Sequence, residues 1–267
     1  MQERLQPHDP RSRRESRSRR QTGSSGQTRT RRQTGPEGKP GTTGFSSAEL
    51  ETLKSILPFI KYFGTGIGGK PTIQFSGANV QLVNGMGKTA TTNGAGNLVL
   101  GYNESPVPVM QTGSHDLVLG YGQTFTRYGG LLAGSFNAIT APLASVTGGE
   151  VNVADAFATS VTGGFETRAT EEFASVAGGN ENTASGEASV VSGGQVDTAT
   201  GSKSSVSGGY GNHASSRGAV VRAASKTPAS GEFASVGGGG ENLAGFNFSS
   251  IFGGKGLTTA AEYQAIL

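Results

Sequence analysis

The chain contains no cysteine and no tryptophan, and aromatic residues make up only 7% of its 267 positions. Without cysteine there are no disulfides and no thiolate metal sites. Large apolar side chains are scarce too: 33% of the chain is hydrophobic, while glycine alone accounts for 45 residues. Glycine contributes no side chain to bury, so a single compact core is hard to build from this palette. An elongated repeat escapes the difficulty, because each unit needs only a thin core shared with its neighbours. Aspartate is confined to Asp9, Asp116, Asp155 and Asp197. Calcium-binding nonapeptide coils need one in every turn, which excludes that class. No apolar run approaches the roughly 20 residues that span a bilayer, so no membrane span is expected. Met1 is followed by charged and polar residues, without the apolar stretch of a Sec-type signal peptide.

Charge divides the chain unevenly. Residues 1–44 hold ten arginines and Lys39 against Glu3, Asp9, Glu15 and Glu37, which is +7. With +3 overall, the remainder carries −4. This basic tail has the composition of a disordered segment, with almost nothing apolar after Leu5. Gly35-Pro36-Glu37-Gly38-Lys39-Pro40-Gly41 reads as collagen-like triplets. Extended backwards, the same phase places arginine on the axis, where only glycine fits. The tail is therefore a degenerate collagen-like stalk; the alternative is an arginine-rich tail of accidental periodicity. It has neither a basic fold nor interleaved aromatics, so no nucleic-acid partner is expected.

Residues 45–90 predict a short helix plus a β-hairpin, a unit that nucleates assembly. Ser46 and Glu49 have the spacing of a capping box. Leu50, Leu53, Ile56, Leu57 and Ile60 form a helical stripe interrupted by Pro58. Three copies of such a stripe bury what one leaves exposed. Thr72–Phe75 and Asn79–Val83 alternate as strands joined around Gly77. Gly64-Thr65-Gly66-Ile67-Gly68-Gly69 matches the dinucleotide fingerprint only on paper, because it follows a helix and precedes a strand.

Residues 91–267 carry a repeat of 15. One apolar position recurs without slippage at Val146, Val161, Val176, Val191, Val206, Val221, Val236 and Ile251, with Leu131 one step upstream. Ala154, Ala169, Ala184, Ala199, Ala214, Ala229 and Ala244 keep a second phase. Asn152, Thr167, Asn182, Asp197, Asn212, Thr227 and Asn242 form a polar row between them. Leu98–Gly101 and Leu117–Gly120 are two less regular turns separated by a proline-containing insertion. Fifteen residues suffice for two short strands and two turns, one lap of a parallel coil. Stacked about 4.8 Å apart, the laps put valine on valine, and paired glycines permit tight corners. Phe246, Phe248, Phe252, Leu257, Tyr263, Ile266 and Leu267 gather at the last laps as a C-terminal cap over the open strand edges.

Ser175-Val176-Ala177-Gly178-Gly179 and the Asn-x-Ala-x-Gly blocks resemble the head repeats of YadA-like trimeric autotransporter adhesins, over roughly residues 96–255. The resemblance implies a left-handed parallel β-roll, three of which pack as a homotrimer that binds host or matrix surfaces. This chain departs from the family's usual period of 14, and Gly-Gly replaces its apolar-Gly pair.

The expected fold is thus all-β: a left-handed parallel β-roll of 15-residue laps, trimeric, with a short N-terminal helix and a disordered tail. The expected function is that of an adhesive surface fibre head binding a protein or glycan ligand, extracellular or at the cell surface. The alternative is a phage or tailocin tail-fibre protein on a virion. No catalytic constellation, cofactor or metal is expected. His8, His115 and His213 lack relay partners, and Glu171-Glu172 reads as a solvated corner. The lap at Val221 is unusual: Ala223 and Ala224 replace the glycines, and Arg217, Arg222 and Lys226 form a candidate anion-binding patch.

Overall fold

The computed structural model describes residues 44–267. The basic tail and its collagen-like triplets lie outside the described residues, apart from Gly44. The chain divides into two compact units between Gly77 and Ala78.

In the first unit, helix α1 (Ser47–Ile56) starts where the capping box requires. Ser46 Oγ accepts the Glu49 N–H at 3.3 Å, and Glu49 Oε2 accepts the Ser46 N–H at 2.7 Å. Two otherwise orphaned donors are satisfied reciprocally. The apolar stripe does not continue as helix to Ile60. Pro58 lies in a single 3-10 turn, Leu57–Phe59, after which the chain extends into β1 (Ile60–Phe63). β1 pairs antiparallel with β2 (Thr72–Phe75), matching Ile60 to Phe75 and Phe63 to Thr72. The hairpin partner of Thr72–Phe75 is therefore Ile60–Phe63 and not Asn79–Val83, which forms no strand. The glycine loop 64–69 connects two strands and holds only a three-residue 3-10 turn, Ile67–Gly69, so no α-helix follows it to receive a phosphate. No residue of α1, β1 or β2 is buried. Leu50, Leu53, Ile56, Ile60, Phe63 and Phe75 all present apolar surface.

The second unit is a parallel β-solenoid. Its largest sheet has 12 strands, one from each lap in chain order, running from Leu98–Leu100 to Ala265–Ile266. An 8-stranded sheet forms a second face, and a 3-stranded sheet with isolated bridges forms a third. Val146 pairs with Val161 and Val161 with Val176, and the register continues to Ile251 and Ile266. Across from them Ala154, Ala169 and Ala184 stack in the same way. Both rows are shut away from water between Val146 and Ile251. The laps stay together because each strand of two residues is paired above and below, and a narrow interior of Val and Ala runs their length.

The period is not 15 throughout. Leu117 pairs with Leu131 and Leu131 with Ser145, two laps of 14, before Ser145 pairs with Ser160 at 15. Leu131 is thus not a member of the valine row; it faces outward, and the fully buried Leu132 stacks on Val146. The extra residue enters at the corner. Ala133-Gly134 in the short lap becomes Thr147-Gly148-Gly149 in the long one, and both Gly134 and Gly149 have positive φ. A Cβ on Gly149 would lie 2.2 Å from the Gly164 carbonyl oxygen, so this lap has no room for a side chain there. The early laps also fill their interior differently, with Phe125 and Ile139 where later laps have alanine.

In most laps a further corner is left-handed without glycine, although Gly129 and Gly218 occupy it in two of them. Phe173 sits at φ 61° and donates its N–H to the Phe157 carbonyl of the previous lap at 3.1 Å. Bulky residues seldom adopt this conformation, and here the inter-lap bond holds it. The residues expected to close the C-terminal end instead continue the coil. Phe233, Phe248 and Tyr263 stack in file, with centroids 5.5 and 5.0 Å apart, and Ala265–Ile266 is the last strand in the sheet's order.

Candidate functional site

The polar row turns out to be interior. Asn152, Thr167, Asn182, Asp197, Asn212, Thr227 and Asn242 are all fully buried. Their position follows from the strand period: two residues before each inward alanine, a side chain points the same way. Each asparagine acts as a cross-brace. The Asn182 Nδ2 donates to the Gly178 carbonyl at 2.8 Å and to the Gly194 carbonyl of the next lap at 3.0 Å, while its Oδ1 accepts the Asp197 N–H at 2.9 Å. Asn152, Asn212 and Asn242 repeat the pattern, and Gln123 and Asn137 begin it. Buried amides so paired keep the glycine corners in register. The sequence signal for this position is the phase that the row shares with the alanines.

The cationic lap is spread over three stations. Arg217 lies at the corner before the strand, where it reaches Glu232 of the next lap at 3.3 Å and lies 5.6 Å from the centre of the Phe233 ring. Arg222 projects from the outer face of the 12-stranded sheet beside a depression of about 60 Å³, bordered by Ser235, Gly237, Ser250 and Phe252. Lys226 occupies the other corner at φ 51°, its N–H bonded to the Tyr210 carbonyl at 2.7 Å. Arg222 and Lys226 make no ion pair among the described residues. The structure thus brings Arg217 to a carboxylate and an aromatic ring, and sets Arg222 and Lys226 at separate exposed positions. The neighbouring alanines have a structural role: Ala224 is buried and pairs with Gly209 and Gly239 in the third face.

The two described histidines, His115 and His213, hold structure. His115 Nε2 accepts the Asn84 N–H at 3.1 Å, and its Nδ1 faces the Thr89 carbonyl at 3.2 Å, which makes Nδ1 the protonated nitrogen. This fastens residues 84–89 to the early laps, over a cavity of about 520 Å³ that Lys88 also lines. Next to it, burial pushes the Asp116 carboxyl up to about 6, against the Gly130 N–H that its Oδ1 accepts at 2.7 Å and the nearby His115. His213 lies in a strand of the 8-stranded sheet; it contacts Thr198 Oγ1, and burial lowers its pKa. Glu171 and Glu172 are exposed at a corner. Among the described residues no three His, Asp or Glu side chains are grouped to hold a metal.

No protein-family model matches the chain, and no curated protein matches it. The likeness to YadA-like head repeats therefore rests on the repeat pattern and on the parallel solenoid. Among the described residues no helix is long and apolar enough to cross a membrane.

Proposed function

We propose that the chain is a structural and adhesive fibre segment that assembles as a homotrimer and displays its solenoid to a protein or glycan ligand, at the cell surface or on a virion. A β-solenoid of stacked laps is compatible with such a role. The observation that carries the proposal is the first unit, whose helix and hairpin bury nothing while Leu50, Leu53, Ile56 and Phe63 lie open. Apolar surface of that kind is stable in water when further copies cover it. The reading assigns the chain no catalytic step. Where the notional alternative of a tail fibre differs is in assembly alone, and phage structural genes beside this one would favour it. Light scattering on the full chain is expected to give about three times the 27.1 kDa chain mass. A monomer with an intact β signal at micromolar concentration overturns the proposal.

A further inference from the structure

Asp197 is the one carboxylate in the interior file of amides and hydroxyls. Its Oδ1 behaves as an asparagine Oδ1 does, accepting the Asn212 N–H at 2.7 Å. Its Oδ2 stands where the other laps have Nδ2, over Gly194 and towards the Gly209 carbonyl. In those laps the amide donates to the carbonyl four residues earlier and to one in the next lap: Gly148 and Gly164 for Asn152, Gly208 and Ala224 for Asn212. Thr167 Oγ1 has its single hydrogen between two acceptors, Asn152 Oδ1 at 2.7 Å and the Gly163 carbonyl at 3.1 Å. The equivalent acceptors for Asp197 are the carbonyls of Gly193 and Gly209. An ionised carboxylate has no hydrogen to offer them, and the fully buried Oδ2 has no hydrogen-bond partner.

We infer that Asp197 is carried as the neutral carboxylic acid, its Oδ2–H donating to one of these two carbonyls, and that its lap is a proton-dependent weak point in the middle of the coil. A protonated carboxyl is the only state of this side chain that reproduces the asparagine's donor and acceptor. An uncompensated charge in a channel of Val191, Val206, Ala184, Ala199 and Ala214 is strongly disfavoured. Burial accordingly raises the carboxyl's pKa, and the Asn212 N–H and side-chain amide only partly oppose it. The surrounding titratable groups lie outside that channel. Glu181 on the preceding lap and Lys203 on its own are exposed at corners, and His213 on the next lies outward against Thr198. The raised value fixes the sign. Folding takes up a proton here, so the lap is tightest below the ordinary aspartate range and loosens as pH rises towards the folded value.

Hydrogen exchange on the full chain at pH 5 and pH 8, corrected for intrinsic rates, reads the effect lap by lap. Peptides spanning 182–212 of the wild type are expected to open roughly ten-fold or more often at pH 8 than at pH 5. Peptides around Asn152 and Asn242, which have amides at this position, should change little. Asp197→Asn should remove the pH response and protect the lap at pH 8 as well as the wild type is protected at pH 5. Equal wild-type protection at both values overturns the inference, as does an Asp197→Asn variant that keeps the response. Protection at pH 8 that rises with sodium concentration in the wild type alone would place a cation, not a proton, on Oδ2 and overturns it too. If the variant fails to fold, the wild-type comparison still decides.

Discussion

The two units answer the same physical demand in opposite ways. In the solenoid each lap from Val146 to Val236 buries a valine, an alanine and a polar brace against the laps above and below, so the chain supplies its own cover. In the first unit the helix and hairpin have regular backbone bonding and an intact capping box, yet no side chain is buried. Local rules are enough to form α1, β1 and β2. They are not enough to hide Leu50 or Phe63, which is why the proposal turns to further copies there.

The largest expected effect sharpens that contrast. Val191→Asp puts an unpaired charge between stacked laps, costing upwards of about 4 kcal/mol. Exchange protection should collapse around Ser175–Val206 while the antiparallel pair of Ile60–Phe63 and Thr72–Phe75 keeps its own. Unchanged protection in the laps would mean that the valine row is not what holds them. A smaller effect concerns Asp116, at the early laps. Its folded pKa of about 6 lies above the ordinary value, so the folded state binds a proton that the unfolded state has released. Stability is highest below the unfolded pKa near 4 and falls as pH rises to about 6. Asp116→Asn should therefore raise stability at pH 8 by on the order of 3 kcal/mol and leave it nearly unchanged at pH 3. Equal shifts in the melting temperature at both values would contradict this. The smallest effect is on binding. Exposed cations act mainly through long-range attraction, so Arg217→Ala, Arg222→Ala and Lys226→Ala together should weaken capture of sulfated polysaccharide, steeply so as salt is lowered. Equal capture by both proteins would leave these residues without a binding role.

Much of the solenoid is legible in the chain because its signal is periodic. The valines and alanines recur at one spacing, and no other stacking puts every valine on a valine. The failures are where the period carries no information. Leu131 falls on the 15-residue phase by arithmetic, whereas the lap before Ser145 has 14 residues and brings Leu132 inside. Ile60 fits a helical stripe, but Pro58 has already turned the chain out of the helix. The left-handed corner at Phe173 has no glycine to announce it, since a bond from the neighbouring lap fixes it. At the candidate site, the arginines and lysine are visible in the sequence, while the pairing of Arg217 with Glu232 requires knowing which corners stack. The interior place of Asp197 was spelled by its phase and hidden by its polarity.

The single change from 14 to 15 residues at Thr147-Gly148-Gly149 bears on how such a chain can vary. Once the extra residue is present, its backbone stacks on the same residue of the next lap, and every later lap retains it. A deletion of one residue within a strand of a middle lap would shift valine, asparagine and alanine out of their files at once, whereas the glycine corner is where laps of 14 and 15 already stack in register. Duplication or loss of a whole lap disturbs none of them, because each joint is the same joint. The gene is therefore free to lengthen or shorten the fibre in lap-sized steps while nearly every smaller insertion is barred, and length becomes the trait that variation can most readily tune.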